Sequence, residues 1–410
     1  MNNVRPIWAL AALTLILTLA ACGTTDVAIE EPQIEAQFGT RDYDSVVAVA
    51  YGKAKKLYVV GDLGNDAYLR RYDSAGSMLW ERYLDPGAPY NEWEYQYYTV
   101  SDVAVDATGN AFVSWYGSFD NNDGGVSQYY LTKYDINGGR KFQVVVRGDA
   151  ELVTDTSGNV YGNFAGAYLT KYTSTGSKSW ERALSGTRSI TVSSANNIYA
   201  VRSTGYIHKY SSGGTQVWAK KLVPSDSEVS ADDSGCTSEC SIIALHQLAA
   251  GISDEFVAVG GRFLSDFDGD SCGSGEQALS LLRFDKNGVR QTSKTLASLY
   301  YSFCGYAYEP EGPTGWTDFG ITTDTAGNFY LATGRNNDGS VTKLSRTGAQ
   351  VWSKGFGTPF QDAATSAAVY DGSEVFVGGV TRGFLVHRQL GKGDAVLRKM
   401  DINGNQVWTR

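Results

Sequence analysis

Short alternations of apolar and polar residues, separated by tight turns, run along most of the chain. The clearest stretches are VAVDATGNAFVSW from Val103, LVTDTSGNVYGNF from Leu152 and ITTDTAGNFYLAT from Ile321. A period of two residues rich in Val, Tyr and Phe is typical of strands, and helical periodicity is absent outside the N-terminal apolar run. The D-x-x-G-N segments supply an Asp that bonds the turn backbone and a Gly that tolerates positive φ. The pattern predicts an all-β protein built from hairpins.

A second hairpin frame recurs seven times. A basic residue is followed five positions later by Gly, and in six copies an aromatic residue follows four positions after that Gly. The basic residues are Arg71, Lys133, Lys171, Lys209, Arg283, Lys343 and Lys399. Each copy predicts four short antiparallel strands, named A to D here, and such a sheet is not stable alone. We therefore predict a seven-bladed β-propeller over residues 37–410, with the aromatic residue of strand D wedged between blades.

The combined repeat, D-x-x-G-N-x-Y followed by K-Y-D-x-x-G-x-x-x-W, resembles the seven-bladed β-propeller repeat of bacterial proteins. Its second half is similar to the tryptophan-docking motif of quinoprotein-type propellers. The resemblance covers about residues 37–410 and implies the propeller fold, but such a fold hosts many functions. Thr292 replaces the aromatic residue in the fifth copy, which puts the normal packing of that blade in question.

The two ends of the chain suggest how the ring closes. SKGFGT follows Trp352, whereas only Thr409 and Arg410 follow Trp408, and QFGT stands near the start as residues 37–40. We expect residues 37–40 to continue where Arg410 ends, so that both chain ends complete the last blade. The alternative is that the matching letters are accidental.

The repeats differ in length only in certain connections. Successive basic residues are 62, 38, 38, 74, 60 and 56 positions apart, and the surplus lies in the B–C and D–A connections. In an up-and-down sheet these connections emerge at one end, called the loop face here, and the A–B and C–D turns emerge at the other, called the turn face. Loops on a rigid scaffold usually carry binding residues, so we predict a binding surface on the loop face. The alternative is that loops lengthen wherever they do not disturb packing.

Two inserted segments supply aromatic candidates for that surface. The candidates are Tyr90, Trp93, Tyr95, Tyr97, Tyr98, Tyr301, Tyr306 and Trp316. Interleaved with acidic residues such as Glu92 and Glu94, they would contact a glycan or a protein, because Tyr and Trp give contact area at low entropic cost. The simpler interpretation, favoured at this point, is that they cover the blade tops as small loop cores.

One B–C segment, DFDGDSCGSGEQ, contains a candidate metal site. Asp266, Asp268 and Asp270 match the start of a calcium loop, but Ser271 stands where the loop glycine is expected and Gln277 occupies the twelfth position. A solvated acidic loop is therefore favoured. Calcium is the one cofactor that the sequence suggests.

Four cysteines, Cys236, Cys240, Cys272 and Cys304, lie within the propeller region. An even number in an exported chain indicates disulfides, and four cysteines allow three pairings. Cys236–Cys240 with Cys272–Cys304 is favoured, and the other two pairings stay open. A zinc site is the weaker alternative, since the sequence has no paired C-x-x-C.

The N-terminus predicts export. Residues 1–21 combine Arg5 with a short apolar run and form a signal peptide, and the closing LAAC resembles a lipobox with Cys22 as the lipidated residue. Residues 22–36 would be a flexible tether. Removal of Arg5 changes the net charge from −9 to −9 − 1 = −10, which argues against nucleic-acid binding. We expect a lipid-anchored envelope protein that contacts the membrane through its lipid only.

Catalytic motifs are scarce. His208, His246 and His387 are the only histidines, and neither G-x-S-x-G nor H-E-x-x-H occurs. The leading interpretation is a monomeric, non-enzymatic module that binds a protein or glycan through its loop face. The alternative is an enzyme, either a polysaccharide hydrolase or lyase or a quinone-dependent dehydrogenase. Two carboxylates converging in the central pocket would favour the enzyme.

Overall fold

The computed structural model describes ten segments of the chain: residues 40–52, 55–87, 95–121, 124–221, 240–267, 272–304, 319–335, 338–360, 362–382 and 392–410. They contain strands and one short 3₁₀ turn, Ile252–Asp254.

The strands group into seven sheets of four successive strands. Blade 1 contains β1 (Asp44–Gly52), β2 (Lys56–Leu63), β3 (Asp66–Tyr72) and β4 (Met78–Tyr83); blade 2 contains β5 (Tyr95–Val105), β6 (Ala111–Asn121), β7 (Gly124–Tyr134) and β8 (Arg140–Val146). Blade 3 contains β9 (Ala150–Thr154), β10 (Val160–Phe164), β11 (Tyr168–Tyr172) and β12 (Lys178–Ala183); blade 4 contains β13 (Thr187–Val192), β14 (Ile198–Arg202), β15 (Tyr206–Tyr210) and β16 (Gln216–Lys221). Blade 5 contains β17 (Cys240–Ala250), β18 (Phe256–Phe267), β19 (Cys272–Phe284) and β20 (Arg290–Cys304); blade 6 contains β21 (Phe319–Thr323), β22 (Phe329–Arg335), β23 (Asp338–Leu344) and β24 (Gln350–Phe356). Blade 7 contains β25 (Asp362–Val369), β26 (Glu374–Thr381), β27 (Asp394–Asp401) and β28 (Gln406–Thr409).

Within every blade the strands pair antiparallel in chain order. The A strands of all seven blades surround a central space, called the axial channel here. The prediction of an all-β, seven-bladed propeller is confirmed.

The hydrophobic core lies between neighbouring blades. One cluster joins Tyr58 and Leu69 of blade 1 to Val113 and Trp115 of blade 2, and the other clusters repeat this arrangement around the ring. Each sheet therefore buries both faces against its neighbours, as a four-stranded unit of this size requires.

The aromatic residue of strand D packs on the next blade, as predicted. The Trp180 ring covers Gly214 of blade 4, so closely that a Cβ on this glycine would lie 2.7 Å from the ring. The indole N–H of Trp180 also donates to the Ser212 carbonyl in the same turn, at 3.1 Å. Trp80 on Gly138, Phe142 on Gly176, Trp218 on Gly288, Trp352 on Gly404 and Trp408 on Gly76 repeat the ring-on-glycine contact. The recurring frame therefore forms a contact between neighbouring blades, called the interblade lock here.

In six of the seven frames the side chain of the basic residue also donates to a backbone carbonyl of the next blade. Lys133 is 6% exposed, and its Nζ donates to the Ser174 carbonyl of blade 3 at 3.0 Å. The same Nζ lies 3.4 Å from the Asp106 carboxylate of its own blade, so the buried ammonium is paired. Strand pairing places Lys133 opposite Phe142, which brings cation and aromatic ring to the same seam.

Blade 5 lacks the aromatic residue but keeps its four strands. Leu281 reaches the position that the ring would fill, 3.3 Å from a Cβ built on Gly348 of blade 6. Glu255 pairs with Arg283 at 2.7 Å and with Arg346 of blade 6 at 3.3 Å. An aliphatic contact and a shared carboxylate replace the wedge at this seam.

The lock also connects blade 7 to blade 1. Trp408 covers Gly76, and Lys399 donates to the Ser74 carbonyl. The first described residues contact blade 7 as well, because the N–H of Lys392 donates to the Asp42 carbonyl at 3.0 Å. Seven sectors therefore form a closed ring. Residues 37–39, on which the predicted strand completion depends, lie outside the described residues.

Several segments predicted as loops are strands. In blade 2, residues 117–121 and 124–128 extend the β6–β7 hairpin to an Asn121–Gly124 pair. In blade 5, β18 and β19 continue to a Phe267–Gly273 pair, and β20 runs to Cys304. Their glycines and acids indicated loops, but backbone pairing beyond the blade edge outweighs that local preference.

Candidate functional site

The turn face is closed by its own hydrogen bonds. In the A–B turn of blade 2, Asp106 Oδ1 accepts the backbone N–H groups of Thr108 and Asn110 at 2.9 and 3.0 Å. The side chains of Asp155 and Asp324 bind their turns in the same way. These carboxylates therefore satisfy the backbone N–H groups of three A–B turns on the turn face.

Exposed aromatic side chains lie at the other end of the strands. Tyr43, Tyr83, Tyr206 and Phe360 are the strongly exposed aromatic residues in the described segments. Tyr43 precedes an A strand, Tyr206 begins a C strand, Tyr83 ends a D strand and Phe360 lies in a D–A connection. All four positions belong to the loop face. Six exposed aliphatic residues instead lie beside C–D turns: Met78, Leu79, Val217, Val289, Val351 and Val407. A seventh, Val145, lies near the loop end of β8.

The predicted aromatic surface residues are only partly covered by the structure. Tyr98 is buried, with its ring centroid 5.7 Å from that of Phe119 and 6.1 Å from that of Trp115. Tyr97 is half-buried in β5, opposite Ser118. Tyr95 and Tyr301 lie in β5 and β20. Tyr90, Trp93, Tyr306 and Trp316 lie outside the described residues. Tyr98 thus serves the core beneath the loop face, and a binding role for the others stays a prediction.

Four of the candidate metal and disulfide residues lie in described strands of blade 5: Cys240, Asp266, Cys272 and Cys304. Asp266 lies in β18 opposite Ser274, while Asp268 and Asp270 lie outside the described residues. Across the ten described segments, no group of three or more His, Cys, Asp or Glu side chains is arranged to hold a metal ion. Cys272 and Cys304 are direct partners in the β19–β20 ladder, and Cys240 begins β17. Cys236 lies outside the described residues.

The axial channel encloses a cavity of about 570 Å³. Its wall consists of A-strand residues from all seven blades, among them Asp102, Glu151 and Gln247. Asp149 is a third carboxylate of the wall. Asp102 and Glu151 are the kind of pair that an enzyme would require, so their surroundings bear on the choice between the two interpretations.

Asp102 and Glu151 belong to a set of equivalent A-strand residues that join one blade to the next. Each residue of this set, called the collar here, accepts a backbone N–H from the A strand of the following blade. The bonds are Leu152 to Asp102 at 2.7 Å, Ile190 to Glu151 at 2.7 Å, Leu248 to Ser189 at 3.0 Å and Val49 to Ser366 at 3.2 Å.

The remaining carboxylate oxygens of the collar are also occupied. Asp102 Oδ1 accepts the N–H of Val103 at 2.7 Å, and Glu151 Oε1 accepts the Ser189 hydroxyl at 2.8 Å. All four oxygens therefore bind protein donors. These hydrogen bonds join the A strands of neighbouring blades, so both carboxylates have structural partners.

The collar acids have unusual protonation equilibria. Burial raises the pKa of Glu151 to about 8, and the neighbouring Asp102 charge raises it further. Burial raises the pKa of Asp102 to about 7 against the lowering effect of its backbone hydrogen bonds. Outside the collar, Asp62 of β2 accepts the N–H of Val100 in blade 2, and burial raises its pKa to about 6.

Sequence reasoning missed the collar, although a signal was present. Asp102 and Glu151 each stand four residues before the Asp of a D-x-x-G-N turn. A polar residue repeated at that position in a predicted inner strand indicates an axial hydrogen-bond partner. Of the histidines, His208 is buried with Nδ1 3.2 Å from Gln216 Oε1, His246 lies in β17, and His387 lies outside the described residues.

Within the described residues, no helix combines the length and hydrophobicity needed to cross a bilayer.

Neither a family profile nor a curated protein matches the sequence. Among solved structures, BamB from Moraxella catarrhalis is similar, with 11% sequence identity and a TM-score of 0.45. The match covers 89% of this chain and 99% of that one. At this similarity the function of BamB gives no information about the function of this chain, and membership of the bacterial propeller-repeat family stays a prediction.

Proposed function

We propose that this protein is a lipid-anchored cell-envelope propeller that binds a protein or glycan through its loop face. The observation that carries the proposal is the segregation of surface features. The exposed aromatic residues of the described segments lie at the loop end of their strands, and the turn end is closed by carboxylate-capped turns. Exposed Tyr and Phe on one face of a rigid scaffold are typical of binding surfaces.

The binding test uses lipid-free protein beginning at Gly23. Glycan arrays and crosslinking to envelope extracts would identify the ligand class, and Trp93→Ala with Tyr97→Ala would test the predicted aromatic surface. The expected result is loss of binding with unchanged Tm. Full binding by the double variant would remove these two residues from the proposal, and no binding to any envelope component would contradict the binding function itself.

Lipid anchoring has its own test. Cys22→Ala should abolish incorporation of labelled palmitate and release the protein from membranes, because the lipid would be its only membrane contact. Membrane retention of this variant would contradict the anchoring proposal and leave the binding face unaffected.

The enzyme alternative has one specific observation in its favour, the Asp102–Glu151 pair in the axial channel. Their hydrogen bonds to Leu152, Val103, Ser189 and Ile190 argue for a structural role. Should a screen of polysaccharides reveal turnover, Asp102→Asn and Glu151→Gln would decide whether these acids perform it. An active protein that loses turnover in both variants while keeping its Tm would favour the enzyme.

Calcium binding at Asp266, Asp268 and Asp270 is proposed as an addition to the loop face. The site would stiffen the tip of the β18–β19 hairpin, so calcium should raise the Tm and Asp268→Asn should remove the effect. An equal Tm with calcium and with chelator would exclude the site.

A further inference from the structure

The β6–β7 hairpin of blade 2 rises above blade 3, its neighbour in the ring. It contains eleven cross-strand pairs, whereas the β10–β11 hairpin of blade 3 contains five. Both hairpins begin at the turn face, so the six additional pairs of blade 2 extend about 20 Å beyond blade 3, at about 3.4 Å per residue. Counted from the turn face, the first of these additional pairs is Tyr116–Tyr129.

One face of this hairpin points toward blade 3. Where blade 3 covers it, the Ser114 hydroxyl accepts the N–H of Ala150 at 3.1 Å, and Leu131 is 0% exposed in the cluster between the two blades. Alternate residues of a strand share a face, so the same face continues above blade 3. The residues that continue it, called the hydroxyl strip here, are Tyr116, Ser118, Asp120, Ser127 and Tyr129.

The opposite face of the hairpin is buried. Trp115 and Phe119 are 0% exposed, and the Tyr98 ring packs against both. By contrast, the two tyrosines of the hydroxyl strip and one of its serines are half-buried, and its other two members are exposed. The hairpin therefore has its core on one side and accessible rings and hydroxyls on the other.

The hydroxyl strip places aromatic rings beside available polar groups. The ring centroids of Tyr116 and Tyr129 lie 4.9 Å apart, with their planes tilted by 49° to 51° about a value of 50°. The Tyr116 hydroxyl donates to Ser127 Oγ at 2.8 Å, and Ser118 Oγ lies 3.3 Å from the same oxygen. No described residue forms a hydrogen bond with the Tyr129 hydroxyl or the Asp120 carboxylate, so both groups are available to a ligand.

The charges around the strip indicate an uncharged ligand. Asp120 is its one carboxylate, and none of its five members is basic. Arg147, which follows the β8 residue paired with Tyr129, already pairs with Glu181 at 3.3 Å and lies 4.6 Å from the Tyr168 ring centroid. A polyanion would therefore meet a carboxylate without a compensating cation. A neutral saccharide instead presents C–H groups to aromatic rings and hydroxyls to polar groups.

We propose that the hydroxyl strip binds a short neutral oligosaccharide. The C–H faces of the sugar stack on Tyr116 and Tyr129, and sugar hydroxyls donate to the Asp120 carboxylate. From Tyr116 to Asp120 the strip is about 13 Å long, which suits a chain of linked sugars better than a monosaccharide. The strip contains neither Tyr83 nor Phe360, so this site is additional to the exposed aromatic residues on which the proposed function rests.

Calorimetric titration of the lipid-free protein tests the proposal. The probes are neutral trisaccharides of glucose, mannose, galactose and N-acetylglucosamine, with trigalacturonate as the acidic comparison. At least one neutral trisaccharide should bind. Tyr129→Phe and Asp120→Asn should each weaken that binding roughly fivefold without changing the Tm, because neither group is hydrogen-bonded to a described residue.

Tyr206→Phe is the matched control, since Tyr206 is an exposed tyrosine outside the strip, and it should leave the affinity unchanged. Equal affinity of the wild type and both strip variants would overturn the proposal. An absence of binding at millimolar concentrations, or a preference for trigalacturonate, would overturn it as well.

Hydroxyl-radical footprinting gives a second readout that uses the wild-type chain. The bound trisaccharide should protect Tyr116 and Tyr129 from oxidation and leave Tyr206 unprotected, as measured by mass spectrometry. Protection of Tyr206 without protection of the strip tyrosines would overturn the strip as the site. That result would still support glycan binding on the loop face, so the failure of this inference is distinguishable from the failure of the proposed function.

Discussion

At the scale of single residues, the blades are joined by side chains that bind the backbone of the next blade. Lys133 and Trp180 do so from strands C and D, and Glu151 does so from strand A near the axis. Each buries polar groups that would be costly if unpaired, so each seam requires its specific partner atoms. Individual side chains therefore determine how neighbouring blades pack, and two of them, Glu151 and Trp180, lead to testable predictions.

The raised pKa of Glu151 predicts pH-dependent stability. Its pKa is about 8 in the folded protein and about 4.3 in an unfolded chain, so between these values the native state binds more protons. Stability from this group is complete below about pH 4.3 and is lost as pH rises through about 8. We expect Glu151→Gln to flatten the fall in Tm between pH 5 and 9, on the order of 2–4 °C.

Glu181→Gln is the matched control for this prediction. Partly exposed Glu181 has a pKa lowered by Arg147 and Lys178 despite its burial, so it titrates below the tested window. Its removal should leave the slope between pH 5 and 9 unchanged. Parallel pH curves for wild type and Glu151→Gln would show that the Glu151 carboxyl does not titrate in this range.

The ring-on-glycine contact predicts a coupling between Trp180 and Gly214. Gly214→Ala introduces a Cβ 2.7 Å from the ring at φ +80°, whereas Gly109→Ala meets only Ile136, at 3.6 Å, at φ +88°. The left-handed backbone alone costs roughly 1–2 kcal/mol in both variants. Chemical denaturation should show a larger loss for Gly214→Ala, and in a Trp180→Ala background the excess should disappear. A persistent excess would mean that the ring is not the obstacle.

At the scale of elements, the repeat frame predicts strand order and turn chemistry but not strand length. Each copy contains a strand D, as predicted; in the second copy it is β8 (Arg140–Val146), which begins two residues after the frame glycine Gly138. The β6–β7 and β18–β19 hairpins continue where glycines and acids indicated loops. Hairpin extension depends on cross-strand pairing between residues that are distant along the chain, and a local pattern does not contain that information.

The candidate site, too, could be predicted from the sequence only in part. The end of the blade that carries insertions follows from counting residues between basic anchors. The burial of Tyr98 against Trp115 and Phe119 does not, because alternation in a strand fixes two faces but not which neighbour covers them. The sequence shows the collar only as a polar residue repeated at one position of strand A. It does not show the partners of these residues, because the partners are backbone atoms of another blade.

Strand register predicts a disulfide at the end of the β19–β20 hairpin. Directly opposite residues in an antiparallel pair have Cα atoms about 4.5–5.5 Å apart, within the range of a disulfide, and Cys272 lies opposite Cys304. Non-reducing peptide mapping of exported protein should recover this link. Closing so long a loop should contribute about 4 kcal/mol, against about 2 kcal/mol for a Cys236–Cys240 link. A map linking Cys272 to Cys236 or Cys240 would refute the pairing.

At the scale of the whole molecule, the proposed binding face is separate from the interblade locks that close the ring. The locks join blade 7 to blade 1 as they join other neighbours, so no seam needs a ligand to hold it. The turns that serve the locks lie at one end, which leaves the opposite end free to vary in length. The exposed aromatic residues of the described segments lie at that end, away from the interblade locks. This division is the central claim about function.

Exposure-matched charge substitutions test that claim most directly. Tyr83 and Phe360 on the loop face are each 53% exposed, and Val217 and Val351 beside the turn face are each 55% exposed. Affinity for the envelope ligand found with the lipid-free protein should be measured for Tyr83→Asp with Phe360→Asp and for Val217→Asp with Val351→Asp. We predict at least a tenfold loss for the first pair, about 1.4 kcal/mol, and an unchanged affinity for the second. Loss confined to the second pair would place binding on the turn face and contradict the account.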